Sequence, residues 1–375
     1  MLGSTGSIGE QTLDVVRARR DRFEIAVLTA CSNWQKLARQ AEEFAPDAVV
    51  IADERWYGDL REALAHLPVK VYAGTEAIEQ VVRGDSADVV VNALVGYAGM
   101  MPSLAAVETG KKLALANKES LVIASKQIIE AADRNGAAIL PVDSEHSAIF
   151  QSLVGEVSPA RRLILTASGG PFLHTPKERL CEVTVEQALR HPNWSMGAKI
   201  TVDSSTMVNK GFEVIEAHWL FGLPAEKIDV LVHPQSVVHS MVEFADGAIK
   251  AQLGTPDMRL PIQYALTFPE RPDYGGQRFD FARTPSLTFE EVDGDKFPAL
   301  GIAYECLERG GTAPCTMNAA NEVAVAAFLQ GRIGYSDIVR LIERALERAD
   351  FLPSPTVEDY TACDREVRGM VSAML

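Results

Sequence analysis

The chain has 375 residues, 47% of them hydrophobic, which is the composition of a globular protein and argues against extensive disorder. A net charge of −15 argues against a nucleic-acid partner, because phosphate backbones are bound by basic patches. No apolar run approaches the roughly 20 residues that span a bilayer, so no membrane association is expected.

The five cysteines are scattered, odd in number and without a C-x-x-C pair. This pattern predicts a protein of the reducing cytoplasm with neither a disulfide framework nor a zinc site. No basic region followed by an apolar one stands at the N-terminus, so no signal peptide is expected. At this length two or three domains are expected.

A glycine-rich stretch, Gly3–Gly9, runs directly into a predicted helix. Its G-x-x-G-x-x-G spacing is related to the dinucleotide fingerprint, in which glycines bring backbone N–H groups close to a pyrophosphate at a helix N-terminus. Alone, the pattern fits a simple glycine-rich turn equally well. The predicted strand Phe23–Thr29 follows at the distance of a βαβ unit and favours the nucleotide site.

The residues after that strand indicate which dinucleotide is bound. An NAD-binding protein tends to place Asp or Glu there to hold the ribose 2′-hydroxyl, but this strand ends in Ala30-Cys31-Ser32-Asn33. Since no carboxylate would repel a 2′-phosphate, NADPH is predicted. Only Met1 and Leu2 precede Gly3, so the first strand of the fold is expected to be missing or nearly so. We therefore expect the natural chain to begin some residues earlier, which an intact-mass measurement would test.

Strands and helices alternate along the first 140 residues. This alternation predicts a doubly wound parallel sheet, whose ligands bind beyond the carboxyl ends of the strands. Lys118 stands at such an end, after the predicted strand Lys112–Ala116. A surface lysine that opens a helix is the alternative, but the helix dipole disfavours a cation in the first turn. Lys118 is therefore a candidate functional residue.

Two carboxylates, Asp143 and Glu145, follow the short apolar segment Ala137–Leu140. In extended backbone, positions two apart point to the same face, so both are expected to face one site. A divalent cation would offset their repulsion, and all-oxygen ligands suit Mg²⁺ or Mn²⁺. For an isolated Asp-x-Glu, a solvated acidic turn is the more common outcome.

Beyond Gln151 two loops suggest substrate binding. The predicted strand Arg162–Ala167 ends in Ser168–Phe172, a Ser-Gly-Gly turn that can direct backbone N–H groups and a hydroxyl at an anion, or be a plain loop. The segment His191–Gly197 combines Pro, Gly and large side chains, which suits a lid that excludes water. The alternative is a packed surface loop with Trp194 in the core.

A second dense polar cluster lies between Ile200 and Glu213. Ser204, Asn209 and Lys210 are donors suited to phosphate. If a helix runs through this stretch, Asn209 and Lys210 share a face with Glu213, which would supply a third carboxylate. Glu216, one turn further along, is a competing candidate by position alone.

The remainder predicts an antiparallel sheet, a long connection and a helical bundle. The predicted organisation is an N-terminal Rossmann-like doubly wound sheet, a central α+β catalytic domain and a C-terminal helical bundle. The predicted boundaries are residues 1–142, 143–268, 269–298 for the connection, and 299–375.

Eight motifs in this order closely resemble the 1-deoxy-D-xylulose 5-phosphate reductoisomerase family, and the resemblance runs almost from end to end. The motifs are GSTGSIG at Gly3–Gly9, ANKES at Ala116–Ser120, LPVDSEHSAIFQ at Leu140–Gln151, SGGPF at Ser168–Phe172, HPNWSMG at His191–Gly197, MVNKGFEVIEA at Met207–Ala217, HPQSVVHSMV at His233–Val242 and NAANE at Asn318–Glu322.

The resemblance implies an NADPH- and Mg²⁺- or Mn²⁺-dependent homodimer that isomerises and reduces 1-deoxy-D-xylulose 5-phosphate to 2-C-methyl-D-erythritol 4-phosphate. It implies that Asp143, Glu145 and Glu213 bind the metal, which favours Glu213 over Glu216. It further implies that Ser168, Ser204, Asn209 and Lys210 bind the phosphate, that Ser144 and Lys118 contact the reacting atoms, and that His191, Trp194 and Met196 close over them. The implied NADPH contacts are Thr5, Gly6, Ser7, Ile8, Asn33, Asn117, Glu119 and Gly211.

One departure concerns the cofactor. The family often has glycine and a basic residue where this chain has Cys31 and Ser32, so the contact with the 2′-phosphate and the strength of the preference for NADPH stay open. Two other functions would require fewer of these residues. A metal-independent NADPH dehydrogenase would not need three carboxylates, and a nucleotide sensor would need neither these nor the phosphate-type donors.

Overall fold

The computed structural model describes residues 1–375 and divides into two compact units. The first comprises Met1–Ser120, Ile128–Asp143 and Met258–Tyr274, and the second comprises Leu121–Gln127, Ser144–Asp257 and Gly275–Leu375. The division into four segments at residues 142, 268 and 298 stays a prediction. None of the helices is both long enough and apolar enough to cross a membrane.

Eleven strands and fifteen α-helices make up the chain. The strands are β1 (Val27–Ala30), β2 (Ala48–Ile51), β3 (Lys70–Ala73), β4 (Val89–Asn92), β5 (Lys112–Leu115), β6 (Ile139–Pro141), β7 (Arg162–Ala167), β8 (Ile228–Val232), β9 (Val238–Glu243), β10 (Ile249–Leu253) and β11 (Glu290–Glu291). The helices are α1 (Ser7–Arg17), α2 (Trp34–Phe44), α3 (Tyr57–Ala63), α4 (Thr75–Arg83), α5 (Met100–Glu108), α6 (Glu119–Asn135), α7 (Ser144–Leu153), α8 (Val185–Ala188), α9 (Ala198–Thr206), α10 (Val208–Phe221), α11 (Arg259–Thr267), α12 (Pro298–Arg309), α13 (Ala313–Leu329), α14 (Tyr335–Arg348) and α15 (Val357–Ser372).

The first unit is built on parallel strands, in two sheets of order β1-β2-β3 and β4-β5-β6. The first residues of the chain lie between the two sheets. Leu2 donates to the Val91 carbonyl at 2.9 Å and accepts from Ala93 at 3.1 Å, while the Met1 carbonyl accepts from Thr29 at 3.1 Å. Met1 and Leu2 thus occupy the position of the central strand. The sequence predicts that this strand is missing or nearly so.

Strands β1 and β2 are apolar because they are covered on both faces. All four residues of β1 and of β2 are buried, and Leu13, Leu28, Leu37 and Leu60 form part of their core. Such continuous apolar runs are typical of buried parallel strands. The predicted doubly wound sheet is confirmed.

The second unit contains a five-stranded mixed sheet of order β10-β9-β7-β8-β11. Strands β7 and β8 run parallel, and the remaining pairs are antiparallel. Helix α7 packs against β9 and β10, and α10 packs against α12. Helices α13, α14 and α15 pack together as the predicted C-terminal helical bundle, with Met317, Val325, Ile338 and Val367 in its core.

Candidate active site

The first two candidate carboxylates lie where strand β6 gives way to helix α7. Asp143 precedes the helix, and Glu145 is in its first turn. The expectation of extended backbone through both residues was wrong, because the helix already begins at Ser144. An acidic side chain in a first turn is favoured by the helix dipole. Ser144 donates a hydrogen bond to Glu145 Oε2 at 2.6 Å, which orients that carboxylate.

The third carboxylate, Glu213, lies on α10 and is 1% exposed. Asn209 Nδ2 donates to its Oε1 at 2.5 Å, and Lys210 Nζ donates to its Oε2. These are the (i, i+4) and (i, i+3) neighbours expected on one helix face. The helix is not continuous from Ile200, however, because Met207 takes a left-handed conformation with φ of 64° and separates α9 from α10.

One ligand atom from each of Asp143, Glu145 and Glu213 lies within 4.8 Å of the others, and we call these residues the carboxylate cluster. Two lysines offset its charge. Lys118 Nζ lies 2.6 Å from Asp143 Oδ2, and Lys210 Nζ lies 3.1 Å from Glu145 Oε1. Three carboxylates this close together repel one another unless a positive charge lies between them. Their oxygens are a donor set suited to a hard divalent cation. The residues therefore fit Mg²⁺ or Mn²⁺.

Glu216 is directed to a different partner. Its Oε2 lies 3.2 Å from His146 Nδ1, and both side chains are at most 1% exposed. His146 Nε2 lies 2.9 Å from the backbone carbonyl of Glu213, which can only accept. His146 therefore links α7 to the turn of α10 that carries Glu213, a role that its position beside Glu145 does not reveal.

Two candidate phosphate-binding residues, Ser168 after β7 and Ser204 on α9, are brought together by a glycine turn. Gly169 and Gly170 have φ of 82° and 63°, in the left-handed region that favours glycine. A Cβ on Gly170 would lie 3.1 Å from the Ser204 carbonyl oxygen, so only glycine lets the loop Ser168–Phe172 approach α9 this closely. Ser168 and Ser204 are both partly exposed and are available to a ligand.

His191 begins the segment His191–Gly197, which we call the lid segment. Its Nδ1 accepts from the backbone N–H groups of Asn193 at 3.2 Å and Trp194 at 3.0 Å. The neutral ring therefore carries its proton on Nε2, which lies 2.9 Å from Ser168 Oγ and donates to it. Burial lowers the pKa of His191 to about 4, which keeps this tautomer neutral near pH 7.

Beyond His191, the lid segment is attached through Asn193 and has little regular structure. Asn193 Nδ2 donates to the Pro234 carbonyl at 2.6 Å and to Ser236 Oγ at 2.9 Å. Trp194 is half-buried with its ring 6.1 Å from that of His239, and Met196 is also half-buried. The large side chains of the segment are thus partly accessible, and their predicted closure over a substrate stays a prediction.

The depressed pKa of His191 predicts a stability that depends on pH. The unfolded ring titrates near 6.5 and the folded ring near 4, so the unfolded chain binds more protons as pH falls between these values. His191 therefore stabilises the fold less at pH 5 than at pH 7. We expect His191→Gln to reduce the loss of unfolding free energy over this range, measured by urea denaturation at both pH values. Equal losses in the two proteins would contradict a neutral, buried His191.

The glycine turn near the N-terminus has the features of a phosphate-binding loop. Gly6 is the N-cap of α1, and no side chain there caps the first backbone N–H groups of the helix. Gly6 and Ser7 are exposed. A Cβ on Gly9 would lie 2.3 Å from the Gly3 carbonyl oxygen, and one on Gly3 would lie 2.7 Å from the Ala93 carbonyl oxygen. These glycines are therefore required sterically. An exposed helix N-terminus of this kind suits a pyrophosphate.

Lys36 adds a positive charge that the sequence analysis missed. Asn33 caps α2 by accepting from the Lys36 N–H at 3.1 Å. The Lys36 ammonium in turn donates to the Thr5 carbonyl at 3.1 Å and pairs with Glu10. A lysine three residues after Asn33 was visible in the sequence, but its reach to Thr5 depends on the packing of α2 against the turn.

Asn117, Glu119 and Gly211 have structural roles in this arrangement. Asn117 Nδ2 donates to the carbonyls of Leu94 at 2.9 Å and Gly96 at 3.0 Å, and to Glu119 Oε2 at 3.0 Å. A Cβ on Gly211 would lie 2.5 Å from the Cβ of Ala303, so glycine allows α10 and α12 to pack closely. Their contacts with NADPH stay predictions.

Three sequence profiles cover most of the chain. That of 1-deoxy-D-xylulose 5-phosphate reductoisomerase matches residues 1–125, that of its C-terminal domain matches residues 139–221, and that of the DXP reductoisomerase C-terminal domain matches residues 253–370. The chain belongs to the 1-deoxy-D-xylulose 5-phosphate reductoisomerase family. The resemblance carried by the eight motifs is thereby confirmed.

Similar proteins extend over the whole chain. The 1-deoxy-D-xylulose 5-phosphate reductoisomerase of Bacteroides fragilis is 53% identical over 376 residues, covering 100% of this chain and 97% of that protein. That of Chlorobium chlorochromatii is 52% identical over 377 residues, covering 100% and 98%.

Solved structures of reductoisomerases share the fold. The enzyme of Zymomonas mobilis in complex with NADPH superposes with a TM-score of 0.92 at 45% identity, covering 100% of this chain and 97% of that one. A DOX-P reductoisomerase in complex with NADPH, fosmidomycin and magnesium gives 0.96 at 40% identity, covering 99% and 96%. The predicted fold class is confirmed.

Proposed function

We propose that this chain is an NADPH- and divalent-metal-dependent oxidoreductase. It converts 1-deoxy-D-xylulose 5-phosphate to 2-C-methyl-D-erythritol 4-phosphate, a step in isoprenoid precursor synthesis. The observation that carries the proposal is the carboxylate cluster, with Lys210 and Asn209 bonded to one of its members. Neither a metal-independent dehydrogenase nor a nucleotide sensor has a use for this arrangement.

The carboxylate cluster is the proposed seat of Mg²⁺ or Mn²⁺, and the turn at Thr5, Gly6, Ser7 and Ile8 is proposed to bind the cofactor. When bound, the metal supplies Lewis-acid polarisation of the substrate carbonyl, and NADPH supplies hydride. Lys118 and Ser144 bond directly to carboxylates of the cluster and are thereby held ready to contact the reacting end of the substrate.

Ser168, Ser204, Asn209 and Lys210 are the proposed ligands of the substrate phosphate. Ser168 Oγ accepts from both His191 Nε2 and the Gly170 N–H, so its own proton is free to be donated outward. Binding the phosphate, which does not react, orients the reacting end of the molecule. His191, Trp194 and Met196 would then close over the substrate and exclude water.

We also propose that the enzyme is a cytoplasmic homodimer. The scattered cysteines support the compartment, and all five are free. Strand β10 supports self-association, because it lies at the edge of its sheet with Ile249 53% exposed. Sedimentation equilibrium tests the assembly, and a mass equal to one chain would refute the dimer.

The function is tested by incubating the protein with 1-deoxy-D-xylulose 5-phosphate, NADPH and Mn²⁺ and following the absorbance of the reduced nicotinamide. We expect the absorbance to fall, EDTA to stop the reaction, and Mn²⁺ or Mg²⁺ to restore it. Oxidation of NADPH that persists in EDTA would indicate a simple dehydrogenase. No oxidation, together with NADPH binding, would indicate a nucleotide sensor.

A further inference from the structure

Helix α13 of the C-terminal bundle carries a buried asparagine whose partner lies outside the bundle. Asn321 is 0% exposed, and its Nδ2 donates at 2.9 Å to Oδ1 of Asp203 on α9. Asp203 is 2% exposed, and its Oδ2 lies 2.8 Å from Lys199 Nζ. A buried carboxylate is costly without hydrogen-bonding partners, so Asn321 and Lys199 together make this position of Asp203 tolerable.

A tyrosine of α14 makes a second contact with the same helix. The Tyr335 hydroxyl donates to the Ser205 carbonyl at 2.6 Å, and the residue is 5% exposed. Burial raises the pKa of Tyr335, so the hydroxyl remains a donor. The ring lies edge-on to Phe172 at 5.1 Å. Tyr335 therefore contacts both α9 and the loop Ser168–Phe172.

These contacts converge on Ser204, because Asp203 and Ser205 are its neighbours in the chain. A shift in either neighbour moves the Ser204 hydroxyl. Gly170 packs so closely on this backbone that a Cβ added to it would lie 3.1 Å from the Ser204 carbonyl oxygen and from the Ser205 Cα. Movement of α9 would therefore also disturb the loop that carries Ser168. The bundle thus fixes both elements that present serine hydroxyls.

We propose that Asn321 and Tyr335 are positioning residues for the substrate phosphate. They act from the helical bundle through Asp203, Ser205 and Phe172, and they do not touch the substrate. This inference rests on the proposed function, in which Ser168 and Ser204 bind that phosphate. It gives a role to the NAANE motif at Asn318–Glu322, which has no part in the proposed reaction.

The experiment compares two isosteric substitutions in the full-length protein. Asn321→Leu removes the donor to Asp203, and Asn318→Leu is its matched control. Asn318 is on the same helix, is also 0% exposed, and donates at 2.9 Å to Glu322 of the same helix rather than to α9. Tyr335→Phe removes only the hydroxyl and keeps the ring beside Phe172, so it tests the proposal even if Asn321→Leu fails to fold.

We expect Asn321→Leu and Tyr335→Phe each to raise KM for 1-deoxy-D-xylulose 5-phosphate by about tenfold, the effect of losing one well-placed hydrogen bond. The Kd for NADPH, measured by fluorescence, should not change. Asn318→Leu should lower the melting temperature comparably without this rise in KM. A conservative Asn321→Ser, which keeps a donor, should recover part of the substrate affinity.

Each outcome bears on one hypothesis. An unchanged KM in both Asn321→Leu and Tyr335→Phe would overturn the positioning role. An equal rise in KM in Asn318→Leu would also overturn it, because it would show general destabilisation. If Ser204→Ala also leaves KM unchanged, the phosphate assignment itself is wrong. If the wild-type protein does not turn over the substrate, the proposed function fails before the variants are compared.

Discussion

Replacing Glu213 by Gln should lower turnover by at least about 10³-fold, because the change removes one of three charged ligands from the proposed metal site. The affinity for NADPH should not change, since the glycine turn and Lys36 belong to the first compact unit and α10 belongs to the second. The measurements are turnover at saturating Mn²⁺, Mn²⁺ binding by electron paramagnetic resonance, and NADPH binding by fluorescence.

The substitution has a second local effect that must be separated from the first. Glutamine retains an oxygen that accepts from Asn209 but no longer carries a charge to pair with Lys210. A loss of stability of a few kcal/mol is therefore expected, as for other buried ion pairs broken on one side. Melting temperatures with and without Mn²⁺ show whether the inactive variant is folded.

Glu216→Gln is the control that distinguishes the two candidate carboxylates. Glu216 lies one turn from Glu213 but contacts His146, so its change should disturb the metal ligand only through the backbone. We expect a smaller fall in turnover and a Mn²⁺ affinity closer to that of the wild type. If Glu216→Gln loses Mn²⁺ binding and Glu213→Gln retains it, the assignment is reversed.

The parts of this site that the sequence predicts are those set by local spacing. Asn209, Lys210 and Glu213 are three and four residues apart on one helix, so the helical period alone brings them together. The doubly wound sheet is likewise predicted by alternating apolar segments and helices. Met1 and Leu2 fill the central strand position through hydrogen bonds to residues more than 25 positions away. No local sequence pattern predicts this placement.

The parts that the sequence does not predict depend on conformational breaks and distant contacts. Asp143 and Glu145 face one site because a helix begins between them, where extended backbone was expected. The left-handed Met207 is unusual for a side chain with a Cβ, and no glycine marks the break between α9 and α10. The bond between Asn321 and Asp203 joins residues 118 positions apart, which only the packed bundle brings together.

Replacing Lys210 by Met should change the affinities for substrate and metal in opposite directions. The lysine is 5% exposed, and its ammonium contacts carboxylates of both Glu145 and Glu213. It therefore supplies positive charge to two of the carboxylates that would hold a divalent ion, and it would compete with that ion. Without the lysine, the repelling carboxylates should bind Mn²⁺ at least as tightly as in the wild type.

The substrate phosphate, by contrast, would lose a charged donor. We expect KM for 1-deoxy-D-xylulose 5-phosphate to rise by about 10²-fold in Lys210→Met, a loss typical of removing one charge-assisted hydrogen bond. Because the variant leaves the buried Glu213 and the half-buried Glu145 without their lysine, its melting temperature should fall without metal and recover more on adding Mn²⁺ than that of the wild type. Lys227→Met, which changes an exposed lysine before β8, should alter none of these quantities. An unchanged KM would remove Lys210 from the phosphate site, and weaker Mn²⁺ binding would show that the lysine supports the cluster rather than competing for it.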